Sequence, residues 1–321
     1  MVKMQIKSLI QSPWTTIMGI MLFVFAFGYF YWKINPLLIY QEQQPVFFFD
    51  SLFFKEFSLS PGGLLDWVSR LLSQFYYIRW TGAVLLAMLI TLSSLLFRRL
   101  LQQNHQHLAF SSLPFLPAAL FIYLYSGYHL PLMLLVGIMA SLLFALTFLL
   151  KSANLLMRIL FFIPLFAVLY YLVGGLAFLF AALVIVQDLF NKNGIIASAG
   201  YLILSAVIPW IGTLGLFLLP VKDAFLVNLK LKISGLTINW SWVLLFIVLL
   251  FLINLLYAKY AARRWKAHKN NASIAFWTGL LNVFILLSCF VVILVRKNDP
   301  VKKQVLELDY YVDHSQWQQV I

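Results

Sequence analysis

The sequence predicts an all-α polytopic membrane protein with about nine transmembrane helices and an interfacial amphipathic helix in its first outside loop. Three observations carry this expectation. The 321 residues are 63% hydrophobic and 17% aromatic but only 10% charged, whereas a soluble domain holds roughly 45–50% apolar and about 25% charged residues. Uncharged runs recur at the length a spanning helix needs, about 20 residues. Basic residues collect in the short loops of one side. The same composition excludes intrinsic disorder. The excess of 23 Lys and Arg over 10 Asp and Glu gives a net charge of +13. In a soluble chain that excess would suggest nucleic acid. Here it reads as topology and contact with anionic membrane lipids, with no nucleic-acid partner.

The uncharged runs are 14–34, 80–97, 108–126, 131–150, 156–173, 175–190, 195–220, 241–262 and 273–295. The first is too long and aromatic for a cleavable signal peptide. It ends in Trp32-Lys33-Ile34-Asn35-Pro36 without a small-residue cleavage site. The segment 156–190 is split at Gly174-Gly175, with Pro164 inside its first half. Nine spans with a cytoplasmic N-terminus put 12 basic residues inside in short segments and 11 outside in much longer ones, with only one acid, Asp188, inside. Fusing 156–190 into one helix would place Arg263-Arg264-Trp265-Lys266 outside, against the positive-inside rule. The C-terminus is then extracytoplasmic. Residues 1–295 form a transmembrane domain, and 296–321 begin an extracytoplasmic helical region.

Outside loop 35–79 is the most informative. Six phenylalanines between Val46 and Phe57 surround Asp50, Lys55 and Glu56, and Ser60-Pro61-Gly62-Gly63 breaks the chain. Residues 64–78 follow a helical period. Leu64, Leu65, Trp67, Val68, Leu71, Leu72, Phe75 and Tyr76 make one face, and Asp66, Ser69, Arg70, Ser73 and Gln74 the other. Such a helix lies in the membrane interface. Trp67, Leu71 and Phe75 would form a ledge that either shapes the surface or supports a lipid-linked substrate.

Glu42 is the sharpest single candidate, with Asp50 and Glu56 weaker ones. A carboxylate near an apolar wall can act as a base or hold a divalent ion. The plain alternative is a solvated loop acid. Residues 225–233 alternate with the two-residue period of a strand, which would put Lys230 and Lys232 on one face. With Arg70 they are candidate phosphate contacts, or simply a solvated rim. Asp188 sits near Lys192 and suggests a boundary pairing. His129 reads as a surface turn residue. Mid-span charge is nearly absent, which argues against proton-coupled transport. Pro209 to Gly215 reads as a packing notch or a broken helix. Cys289 is a lone buried thiol. Nucleotide-loop, zinc-protease and nucleophile-elbow motifs are all missing from the sequence.

The tail from Lys302 to Ile321 reads as two helical pieces that break near Asp313-His314-Ser315. The second lacks a face to pack on, so the tail expects a protein partner or further chain. Its Trp317-x-x-Val320-Ile321 phrase resembles the start of a tetratricopeptide second helix.

Tyr40-x-Glu42-Gln43, Phe47-Phe48-Phe49, Pro61-Gly62-Gly63-Leu64-x-Asp66 and Gln74-Phe75-Tyr76-Tyr77-x-x-Trp80-x-Gly82 resemble an uncharacterised family of multi-span membrane proteins of Gram-negative bacteria. The resemblance implies the inner membrane and a helical repeat region after the spans, and no activity. A more distant resemblance is to membrane glycosyltransferases of the GT-C fold, which carry an acid soon after the first span and interfacial helices in a long first outside loop. Glu42, or less closely Asp50, matches that acid by position. The second outside loop, Gly127 to Leu130, has no acid, unlike many of those enzymes. The resemblance implies sugar transfer from a polyprenyl-phosphate-linked donor at the outer face. The alternatives are a non-catalytic anchor that presents the helical tail, and a lipid or polysaccharide exporter.

Overall fold

The computed structural model describes residues 13–102, 115–150, 154–189, 194–215, 220–233, 236–267 and 300–313, with a few positions among 217–295. Its elements are α1 (Pro13–Gly28), a π-helical turn (Tyr29–Ile34), α2 (Pro36–Gln43), α3 (Ser51–Ser58), α4 (Gly63–Ser73) and a 3-10 turn (Gln74–Tyr77). Then come α5 (Arg79–Gln102), α6 (Leu116–Tyr125), α7 (Leu132–Leu149), α8 (Leu155–Val173), α9 (Ala177–Leu189) and α10 (Gly194–Gly215). Helix α11 (Val221–Leu226), strands β1 (Lys230–Ile233) and β2 (Leu236–Asn239), α12 (Ser241–Ala267) and α13 (Pro300–Asp313) complete the chain.

Among the described residues five helical runs are long and apolar enough to cross a membrane: Thr16–Ile34, Arg79–Gln102, Leu132–Leu149, Leu155–Leu189 and Gly194–Leu214. Leu116–Tyr125 and Ser241–Leu256 are apolar but shorter. The expected count of nine is therefore not confirmed among the described residues, and most of 273–295, with Cys289, lies outside them. The longest run is not one rod. In a straight helix Arg158 and Asp188 would stand about 45 Å apart, yet their side chains meet at 2.8 Å. Helices α8 and α9 are an antiparallel hairpin that turns at Gly174-Gly175. Gly174 there has φ +64°, which a side chain would disfavour.

The chain forms two compact units. The first comprises residues 1–42, 76–128 and 256–321. Helix α1 packs along α5, with Gly19 against Leu95. The π-helical turn closes with the Asn35 N–H donating to Phe30 O at 2.8 Å. Asn35 takes φ +61°, a conformation asparagine tolerates, and Pro36 then opens α2 at a position where no N–H is needed. A Cβ on Gly82 would come within 2.6 Å of the Pro36 ring, so glycine lets α5 abut the first turn of α2. Tyr29, Phe30, Tyr76, Tyr125 and Tyr128 form the buried aromatic centre of this unit. Burial pushes the Tyr76 phenol well above its ordinary pKa.

The second unit comprises residues 43–75 and 129–255. Its core is an aromatic stack at the meeting of α7, α8, α9 and α10. Phe162 has ring-centroid distances of 4.6 Å to Tyr201, 5.3 Å to Phe180 and 6.0 Å to Phe148. Helix α10 runs through Pro209 to Gly215 without a break. The expected strand over 225–233 is half right. Residues 221–226 are helical, and only Lys230–Ile233 pairs, antiparallel with Leu236–Asn239.

The helix expected over 64–78 ends at Ser73, and its inward face is not the apolar one. Leu65, Ser69 and Ser73 are buried, and Val68 and Phe75 are exposed. A Cβ on Gly137 of α7 would lie 2.8 Å from Leu65 Cδ2. Small residues admit this close approach, and apolar bulk turned outward suits a lipid-facing surface.

Candidate functional site

Three turns of the second unit are tied together, and they build a polar cleft. Asn228 sits at φ +63° between α11 and β1. Its side-chain amide donates to Gly62 O at 3.0 Å and Val173 O at 3.4 Å. The Gly62 N–H donates to Tyr171 O at 2.8 Å, and the Gly175 N–H to Val227 O at 3.0 Å. Tyr170 and Tyr171 donate through their hydroxyls to Ala224 O and Ser58 O. Gly62 has φ +75°, and a Cβ there would strike the Asn228 amide at 2.2 Å. Each turn thus satisfies backbone groups that the others leave open.

The cleft beside this knot holds about 430 Å³ and is lined by Phe53, Glu56, Phe57, Ser60, Asp66, Arg70 and Asn228, with Pro61, Gly63 and Val227. Arg70 Nε donates to Asp66 Oδ1 at 3.1 Å, the i,i+4 pair of α4. The Arg70 guanidinium also lies 5.2 Å from the Phe57 ring centre. Glu56 makes no ion pair among the described residues, so it is the carboxylate open to a ligand. Trp67 touches Phe47 and Phe54 at 5.2 and 5.4 Å between ring centres. Phe48, Phe49 and Leu52 are exposed, and no residue of α3 is buried. The cleft therefore opens beside an apolar, aromatic lobe.

The other candidates fall elsewhere. Asp50 precedes α3 and lines the shallow outer surface of the lobe with Lys55. Leu71 is half-buried on α4, and Phe75 is exposed in the 3-10 turn that follows it. Lys230 and Lys232 occupy alternate positions of β1, opposite Asn239 and Thr237, and their side chains lie outside what is described. Glu42 belongs to the first unit. It is not a solvated acid: its side chain is 14% exposed and accepts from Lys302 Nζ at 3.0 Å. Among the described residues no three His, Cys, Asp or Glu side chains gather into a metal-holding set. Glu42 thus belongs to no metal-holding set among the described residues.

Two buried charges are placed differently from what the sequence suggests. Asp188 pairs across the hairpin with Arg158, and Lys192, the partner expected from the sequence, lies outside the described residues. The Arg158 guanidinium also lies over the Phe148 ring. Arg98, assigned to a loop, is 1% exposed within α5, with Nη1 3.8 Å from Met18 Sδ and its guanidinium over the Phe115 ring. Its only sequence signal is the Arg98-Arg99 doublet, which marks the end of an apolar run but not which arginine turns inward. Asn228 was missed because nothing local distinguishes it from a strand residue.

A model of one protein family matches residues 11–321, nearly the whole chain. The chain belongs to DUF6057, a family of unknown function. Membership in DUF6057 agrees with the resemblance to an uncharacterised family and assigns no activity. No curated protein and no solved structure matches this DUF6057 chain.

Proposed function

We propose that this DUF6057 protein works at the outer face of the bacterial inner membrane. It binds the head of a polyprenyl-phosphate-linked donor in the cleft of the second unit and transfers the sugar or a related group. The observation that carries this reading is the cleft itself. It joins a cation, a carboxylate without an ion pair among the described residues, an amide and aromatic edges beside an exposed apolar lobe. Arg70 meets the phosphate with donors not used by Asp66. Phe53 and Phe57 offer apolar faces to a sugar ring, and the lobe takes the lipid. Glu56 removes the acceptor hydroxyl proton as the acceptor oxygen bonds to the anomeric carbon and the phosphate leaves with its bonding electrons. Glu42, held by Lys302, is not the base in this account.

The test is binding of a polyprenyl-phosphate probe to the full chain in lipid nanodiscs. Arg70→Gln should weaken binding about tenfold or more, the scale of one charge-assisted contact. Glu56→Gln should bind normally and lose transfer. Wild-type binding by Arg70→Gln would sink the reading. One observation favours a second reading, an anchor that presents its C-terminal region: the Lys302–Glu42 pair fastens α13 to α2.

A further inference from the structure

Helix α13 is tied to the first unit through Lys302, which reaches Glu42, and packs Leu306, four residues on, inward. On a different side Val301, Val305, Leu308 and Val312 are exposed, at 65%, 50%, 48% and 37%. Their 4-3-4 spacing puts them within an arc of about 60° at 3.6 residues per turn. A helix lying on lipid needs a broader apolar face, about 100° or more, whereas a strict two-position stripe is the seam of a coiled coil. The borders of the stripe are polar, Gln304 on one side and Asp309 on the other. These features point to a second helix as the occupant, and not to the bilayer.

We infer that this seam pairs α13 with the α13 of a second copy of the chain, antiparallel about a two-fold axis. A 4-3-4 spacing reads the same in both directions. A two-fold near residues 306–307 therefore sets Val305 against the second copy's Leu308 and Val301 against its Val312. The same operation sets Asp309 of each copy towards Lys302 of the other, so opposite charges meet at the flank. Lys302 then lies between Glu42 of its own chain and the incoming Asp309. This self-complementarity is what a two-fold interface requires. Two heptads are short for a free coiled coil. Membrane anchoring removes much of that difficulty, because it raises the effective concentration of one copy for another.

The test uses the full chain in native membrane vesicles with Cys289→Ser as background. Val305→Cys and Leu308→Cys should each yield a cross-linked dimer with a short bis-maleimide, and Glu307→Cys, off the seam, should not. Asp309→Lys added to Val305→Cys should reduce the dimer band, since like charges would then face each other. Equal cross-linking at 305 and 307 would overturn the proposal. So would a seam variant that stays monomeric, or one labelled by a lipid-borne probe as strongly as a residue of a span. Cross-linking of the Val305→Cys thiol to a second thiol placed within 314–321 of the same chain would overturn it as well.

Discussion

The Arg158–Asp188 pair brings two charges into the otherwise apolar hairpin of α8 and α9. Removing one member of such a pair leaves the other charge without compensation. Asp188→Ala should therefore cost about 3 kcal/mol or more, because the surviving guanidinium is mostly buried. Replacing both residues by leucine should restore most of that loss. Unfolding of the purified chain in detergent checks both, and a single variant as stable as the wild type would show that water screens the pair. Arg98 is a different case. Its surroundings are a thioether and an aromatic face, which suit a weakly hydrated planar cation and would not suit lysine. The sequence shows these charges as letters at the ends of apolar runs. It does not show them as partners, because Arg158 and Asp188 are brought together only by the turn at Gly174.

Elements were legible wherever the solvent dictates them. Apolar runs stand out because a bilayer core accepts only chain that satisfies its own backbone. The break at Gly174-Gly175 was readable because adjacent glycines remove the steric reason to continue a helix. The orientation of α4 was not. The wheel argument assumes water outside and an apolar interior, whereas Ser69 and Ser73 face inward because small side chains let helices approach. The knot at Asn228 was equally hidden, since its bonds reach two distant turns. Its energetics are testable. Asn228→Gly keeps the left-handed backbone and loses both amide bonds, and should cost about 1–3 kcal/mol. Asn228→Ala adds the penalty of a left-handed Cβ, about 1–2 kcal/mol more. Thermal unfolding that ranks alanine above glycine would contradict this account.

At the scale of the whole chain, orientation is the prediction that matters for the proposed function. In a Cys289→Ser background, Lys55→Cys should react from outside with a membrane-impermeant maleimide. Asn154→Cys, at the start of α8, should react only after the membrane is opened. The reverse pattern would put the cleft on the cytoplasmic side, away from a donor presented outside. Charge asymmetry is the reason the sequence leads to this expectation. The Lys302–Glu42 contact was not readable, because 260 residues separate its partners. The Asn228 knot has a further consequence, in time. Gly62 and Asn228 are 166 residues apart, and a ribosome adds about 5–20 residues per second. The turn at Gly62 therefore waits about 8–33 s for the residue that locks it. Throughout that interval the aromatic loop lacks its latch. The order of synthesis, and not only the finished contacts, thus decides when this face of the protein can first bind anything.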